Sequence, residues 1–301
     1  MKALIDLQIT MFLLIFIGWF MRKAGIIGPE GKKVMTDLVI NLILPCNIIR
    51  SFMIQFSWKI AADFAGILII SLLIQVFCLI LGKILYRHTE EKRRQCLSYG
   101  IICSNAGFLG NPVAEGVFGS MGLALASIYL IPQRIMMWSE GIMIFTEAPS
   151  KKELARKVLT HPCIVSIWIG LALMVSGWQL PVFLLSPLTA LSNCNNACSM
   201  LVIGIILSEA KLKELIDPDL VTYSLLRLIL IPLAVYIPCR LLVADPLVGG
   251  VSVLLAAMPA GATTSILASK YRGVEIFAVK LVVFSTLASL ISTPVWSFVL
   301  R

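Results

Sequence analysis

Ser104-Asn105-Ala106-Gly107-Phe108-Leu109-Gly110-Asn111-Pro112 interrupts a segment that is otherwise apolar enough to span a membrane. A second interruption, Met258-Pro259-Ala260-Gly261-Ala262-Thr263-Thr264, falls in a corresponding segment nearer the C-terminus. Gly, Pro and polar residues leave backbone N–H and C=O groups unpaired, which a lipid-exposed helix does not tolerate. Such breaks persist where they line a protein cavity, and a pair in corresponding halves points to a transporter's substrate site. Either break alone reads equally well as an ordinary proline kink. Together, in matching places, they read as a site that moves a small solute across a membrane.

The rest of the chain agrees with a bilayer setting. Of 301 residues 59% are hydrophobic and 14% charged, with a mean hydropathy of +0.95; soluble domains carry roughly 25% charged residues. Apolar runs fill the sequence from Ala3 to Leu300, which leaves no room for a separate soluble domain. The net charge of +9 sits in short loops between apolar runs, so it sets membrane orientation and does not imply nucleic acid. The first run has neither a basic leader nor a small-residue cleavage site and reads as a retained span. The 8 cysteines have no metal-ligand spacing, and no metal or cofactor is expected beyond a coupling ion, H+ or Na+.

A span needs about 20 mainly apolar residues. Candidate spans are 3–21, 34–55, 60–86, 96–118, 120–146, 162–177, 183–208, 219–243, 247–269 and 274–300. The predicted fold is therefore all-α and polytopic, with ten transmembrane helices. Seventeen loop Lys and Arg fall on one side and only four (Lys2, Lys59, Arg240, Arg301) on the other. That asymmetry predicts a plasma (inner) membrane protein with both termini outside. Ten spans form two sets of five, 1–147 and 162–301, joined by a short basic cytoplasmic linker at 148–161. An odd number per set inverts the second relative to the first. Gly18 and Gly170, Asn41 and Asn193, and Pro112 and Pro259 occupy matching places in order, as inverted repeats do.

In this orientation Asn111 is the predicted N-cap and Pro112 the first residue of an outer half-helix. Thr263, Thr264 and Ser265 open an inner half-helix after Pro259. Both N-termini lie near the midplane, where N–H groups and positive dipole ends favour an anion, most simply a carboxylate. Arg134, kinked inward by Pro132, is the leading embedded cation, followed by Arg227; Arg50 and Lys280 lie nearer span ends and can snorkel. Glu115 either exchanges a proton with the aqueous path or pairs with Arg134, and Glu140 lies between Arg134 and the inner surface. Asn41, Asn47, Asn105, Asn193, Asn195 and Asn196 either bind substrate or Na+, or hydrogen-bond across helices. Neither HExxH nor Gly-x-Ser-x-Gly is present, so an intramembrane enzyme is not expected. Without a nucleotide-binding loop, ATP cannot drive transport from this chain, and two breaks suit alternating access better than a continuous pore.

Asn41-Leu42-Ile43-Leu44-Pro45-Cys46-Asn47-Ile48-Ile49-Arg50-Ser51-Phe52 resembles the second span of the auxin efflux carrier family, which includes bacterial malate and malonate permeases. Gly107-Phe108-Leu109-Gly110-Asn111-Pro112 is similar to its fourth-span motif, and Pro259 stands where its ninth-span motif would be. The resemblance covers essentially the whole chain. It implies a bundle like that of sodium–proton antiporters and bile-acid transporters, in which two broken helices cross within a core domain beside a scaffold domain. It also implies substrate at that crossing, at Gly110, Asn111, Pro112, Pro259, Gly261 and Thr263, with Asn41 and Arg134 completing the expected site. Glu115, Glu140 and Arg227 are the coupling candidates. The short central linker departs from the plant carriers, so auxin is not the expected substrate. The expected cargo is a small organic anion such as malate or malonate; the alternative is Na+- or H+-coupled carriage of another organic anion, such as a bile-acid-like molecule. A homodimer remains open.

Overall fold

The computed structural model describes residues 2–145, 152, 156, 159–208, 217–243, 245–270 and 275–300. Proline and side-chain caps set most helix starts. α1 (Lys2–Lys23) ends on Arg22 and Lys23, cations suited to a helix C-terminus. α2 (Pro29–Ser51) opens with proline at its first turn, where a missing N–H costs nothing. α3 (Trp58–Leu85) is capped by Ser57, whose hydroxyl accepts the Ile60 N–H at 3.2 Å. α4 (Glu91–Ile102) stops at an extended Cys103. α5 (Ala106–Met137) is followed by the short α6 (Glu140–Met143). α7 (Pro162–Ser176) ends at Gly177, with φ of 64°. α8 (Val182–Leu207) and α9 (Pro218–Leu242) follow, then α10 (Pro246–Ala256), α11 (Thr263–Lys270) and α12 (Glu275–Val299). Asp217 and Asp245 cap α9 and α10 through the Asp219 and Leu247 N–H groups.

Among the described residues six helical stretches are long and apolar enough to cross a membrane: α2, α3, α5, α8, α9 and Ile276–Val299 of α12. α7 and α10 are apolar but shorter. The expected fourth and fifth spans meet differently from the sequence reading. Ala106–Met137 runs on as helix, bent at Gly119 with φ 70° and ψ −162°, a conformation that glycine adopts without steric cost. The expected junction at 119 is therefore a kink without a loop. The helix then stops at Ser139, short of 146. Most of the expected linker, 148–161, lies outside the described residues.

Three helices widen into π turns, at Val39–Ile43, Ala106–Gly110 and Leu226–Leu230. Each turn ends two residues before a proline: Pro45, Pro112 and Pro232. Proline lacks an N–H and crowds the carbonyl four residues back, and the extra residue of a π turn absorbs that strain. In α9 the freed Leu228 carbonyl accepts the Trp296 indole N–H at 2.8 Å, which ties α12 to α9.

The helices pack in two groups. α1 lies along the second half of α8, and the end of α2 packs on α7 and the first half of α8. α1 and α8 meet backbone to backbone: a Cβ on Gly204 would stand 1.9 Å from the Ile15 carbonyl oxygen, and one on Gly18 2.2 Å from that of Leu201. Small residues allow this approach where lipid supplies no hydrophobic drive. The second group joins α3, α4, α5 and α10, with α9 on α10 and α12 on α4, α9 and α11. Its centre is the end of α10, where Val253, Leu254, Leu255, Ala256, Ala257 and Met258 are all fully buried. By contrast α3 exposes Ile69, Leu72, Leu73, Ile80 and Ile84, an apolar flank suited to lipid tails.

Candidate functional site: the crossing of two broken helices

The two interruptions pass each other in the middle of the second group. α4 ends at Ile102 and α10 at Ala256, and the extended residues beyond them run antiparallel, bridged at Ser104 and Ala260. The Asn105 N–H donates to the Pro259 carbonyl at 2.7 Å, and the Gly261 N–H to the Cys103 carbonyl at 3.0 Å. Each break thus satisfies the other, in a place where lipid offers no partner. Gly261 is required by this approach, since a Cβ there would lie 2.9 Å from the Cys103 carbonyl oxygen. Gly110 admits the end of α10: its Cβ would come within 2.7 Å of Leu255 Cδ2.

Two side chains tie the strips to their surroundings. Gln133, in the arm of α5 beyond the kink, donates to the Ser104 carbonyl at 2.7 Å and accepts from the Ser104 hydroxyl at 3.2 Å. Ser285 of α12 accepts the Ala260 N–H at 3.2 Å while donating to the Leu281 carbonyl at 2.7 Å. Sequence reasoning missed both. Gln133 is overshadowed by the adjacent charge of Arg134, and Ser285 is one of several hydroxyl residues in its apolar span. An uncharged polar residue so far along the chain from a break carries no signal until the helices are packed.

Arg227 is the electrostatic centre. It is 2% exposed, and its Nε donates to the Met258 carbonyl at 3.0 Å and its Nη1 to the Ile101 carbonyl at 3.2 Å. Nη1 also lies 3.7 Å from Cys78 Sγ. Those carbonyls belong to the C-terminal ends of the half-helices α10 and α4. Each helix end carries about half a negative charge, so the guanidinium offsets both together. The opposite ends, the N-termini of α5 and α11, carry about half a positive charge each. α11 opens at Thr263, and the Thr264 N–H turns back to the Gly261 carbonyl at 3.0 Å.

The expected site residues divide. Gly110, Pro259, Gly261 and Thr263 lie at the crossing. Asn111 and Pro112 sit one turn into α5, because that helix opens at Ala106 and not at Pro112. Asn111 is therefore not the N-cap; Asn105 holds the cap position, without a side-chain cap, and the π turn carries the helix past the proline. Asn111 is fully buried, and neither its Nδ2 nor its Oδ1 has a hydrogen-bond partner among the described residues. Thr264 Oγ1 is buried and unpartnered in the same way.

Asn41 is not brought there. It is exposed on α2 and donates to the Asp37 carbonyl of its own helix at 2.9 Å. Arg134 is buried but reaches His161 instead, with Nη1 3.3 Å from the imidazole Nε2. That contact ties the end of α5 to the start of α7. Burial first, then the Arg134 charge, pushes the His161 pKa down to about 3. Glu115 pairs with Asn47, whose Nδ2 donates to Oε2 at 3.1 Å, and not with Arg134. That contact joins α5 to α2, between the two packing groups. The Glu140 side chain lies outside the described residues. Arg50 reaches Asn193 Oδ1 at 2.6 Å and is exposed, as a cation near a span end can be. Among the described residues no three His, Cys, Asp or Glu side chains are grouped to hold a metal.

With six membrane-length apolar helical stretches among the described residues and two mutually paired helix breaks, the chain belongs to the class of polytopic membrane transporters. The family model described as a membrane transport protein matches residues 4–297, and the chain belongs to that family, the auxin efflux carriers. It is similar to an "Uncharacterized transporter" of Methanothermobacter thermautotrophicus, 27% identical with 97% of each chain covered. A second "Uncharacterized transporter", from Methanocaldococcus jannaschii, is 25% identical with 98% of each covered. A protein of Rhizobium meliloti named "Putative malonate transporter" is 24% identical over 100% of this chain and 97% of its own. Family and relatives are transporters and not enzymes.

Proposed function

We propose that this protein is a secondary active carrier of small organic anions, carboxylates such as malonate or malate, working by alternating access. The observation that carries the reading is the asymmetry of compensation at the crossing. Arg227 offsets the negative ends of α4 and α10, while the N-termini of α5 and α11 together present about one positive charge. A carboxylate placed there receives N–H donors and balances that charge, as anions do at helix N-termini. Asn111 and Thr264 bring buried polar atoms without protein partners to the starts of these helices. The name of the Rhizobium meliloti relative is consistent with a carboxylate cargo.

In this reading the helices form ten spans in two inverted sets of five. α1, α2, α7 and α8 serve as scaffold and the remaining helices as the moving core. The Asn47–Glu115 contact spans the scaffold–core boundary, which makes Glu115 the leading candidate for proton coupling: protonation removes its charge beside an anion path and weakens its bond to Asn47. Uptake of labelled malonate, malate, lactate and an aromatic acid into proteoliposomes, under imposed pH or Na+ gradients, tests the function. Carboxylate uptake above that of protein-free vesicles, driven by one gradient, is expected. Uptake of cations but of no carboxylate would overturn it.

A further inference from the structure

A second, chemically distinct recess runs along α4, from its charged start to Ile102, where that helix ends. It is a cleft of about 380 Å3 lined by the end of α3, by α4 and by Met143 and Ile144. Its lining includes Lys83 and Arg87 from the α3 side, Arg94 and Gln95 from α4, and the acid Glu91. Three cations thus face one carboxylate. Ser98 and Gly82 line it too, and Ser98 donates to the Gly82 carbonyl at 3.0 Å. Glu91 reaches Arg94 at 3.7 Å, the glutamate largely and the arginine partly in solvent, a pair of little energetic consequence. Arg87 donates from Nε to the His88 imidazole at 3.0 Å, which engages one of the five N–H donors a guanidinium carries.

We propose that this cleft binds the phosphate headgroup of an anionic phospholipid. Three observations converge on a lipid. The cleft sits where the apolar α3 ends and the charged start of α4 begins, between Leu85 and Glu91, which is headgroup level. Its charge complements a phosphodiester, which guanidinium groups hold through paired N–H donors. Beside it α3 exposes Ile80 at 52% and Ile84 at 58%, an apolar flank along which an acyl chain can lie. A dissolved phosphate has no use for that flank. The loop-charge asymmetry places this end at the cytoplasmic leaflet, where basic pockets between membrane helices take anionic headgroups.

Native mass spectrometry of the full chain in detergent, with phosphatidylglycerol, phosphatidylcholine or inorganic phosphate added, tests the proposal. Wild type, the control Lys33→Gln and the charge-preserving pair Arg87→Lys with Arg94→Lys should retain phosphatidylglycerol in preference to phosphatidylcholine. The pair Arg87→Gln with Arg94→Gln should lose about thirtyfold in phosphatidylglycerol affinity, on the scale of two surface cations. Unfolding temperatures identify any variant that fails to fold, in which case the single exposed change Arg87→Gln is read, with a loss of about fivefold expected. Equal phosphatidylglycerol retention by a folded Gln pair would overturn the proposal. So would inorganic phosphate that competes as well as the lipid, which would mark a site for a soluble anion.

Discussion

Among the described residues Arg227 is held by two helix-end carbonyls and a thiol. That arrangement makes it a structural counter-charge, because removing it strands two buried acceptors and two negative helix ends at once. Arg227→Ala should lower stability by roughly 3–5 kcal/mol, the cost of breaking a buried charged network. Arg227→Lys should lie between, since an ammonium keeps the charge but not the two-directional fork. Thermal unfolding in detergent reads both, and an unchanged Arg227→Ala midpoint would refute the role. His161 makes a different prediction. Its folded pKa, about 3, lies below the unfolded value of about 6.5, so between these values the unfolded state binds more protons. Stability is then full above about pH 6.5 and falls as pH falls toward 3. At pH 5 the loss should reach about 1–2 kcal/mol. His161→Asn, which keeps a capping side chain, should flatten the pH 5 to 7.5 difference in unfolding temperature; an unaltered difference would place the titration elsewhere. Residue chemistry of this kind was only partly legible in the sequence. That Arg227 and Arg134 were embedded followed from hydropathy, but which carbonyl or imidazole each would meet depends on helices far apart in the chain.

At the scale of the element, the two breaks declare themselves because Gly, Pro and amide residues have no bland reason to recur in matching apolar segments. The start of α11 at Thr263 follows the sequence expectation. The start of α5 does not, and the physical reason is the π turn: by adding a residue ahead of Pro112 it lets the helix begin at Ala106 instead of after the proline. The same device precedes Pro45 and Pro232, and hydrophobic pattern alone gives no sign of it. The crossing makes a local test available. Gly261→Ala would force a methyl group to 2.9 Å from a backbone oxygen, and overpacking of this sort costs roughly 1–3 kcal/mol. Gly107→Ala, three residues from the bridge, meets nothing within 4 Å and should be tolerated. Carboxylate uptake at matched reconstitution should therefore fall for Gly261→Ala and persist for Gly107→Ala. Equal uptake by both would mean that the strips are not held as tightly as their hydrogen bonds imply.

For the whole molecule, orientation and mechanism are linked, since half-helix polarity has meaning only once each end is assigned to a side of the membrane. The seventeen-to-four loop-charge asymmetry predicts that Lys152 lies inside and the turn between α7 and α8 outside. Single cysteines at Lys152 and Gln179, in a background with Cys194 replaced, should differ toward an impermeant thiol reagent on intact cells. Labelling at Gln179 alone is expected; labelling at Lys152 alone would invert the assignment. The central claim, an anion held at the convergent N-termini of α5 and α11, is tested most directly by charge at Asn111. Concentration-dependent uptake of the best carboxylate should be measured at pH 8 for wild type, Asn111→Ala and Asn111→Asp in proteoliposomes of equal protein content. Asn111→Ala should raise KM several-fold, by loss of one polar contact. Asn111→Asp should raise it by about tenfold or more, because a fixed carboxylate competes with the substrate for the same positive helix ends. A wild-type KM for Asn111→Asp would contradict the binding of an anion at the crossing.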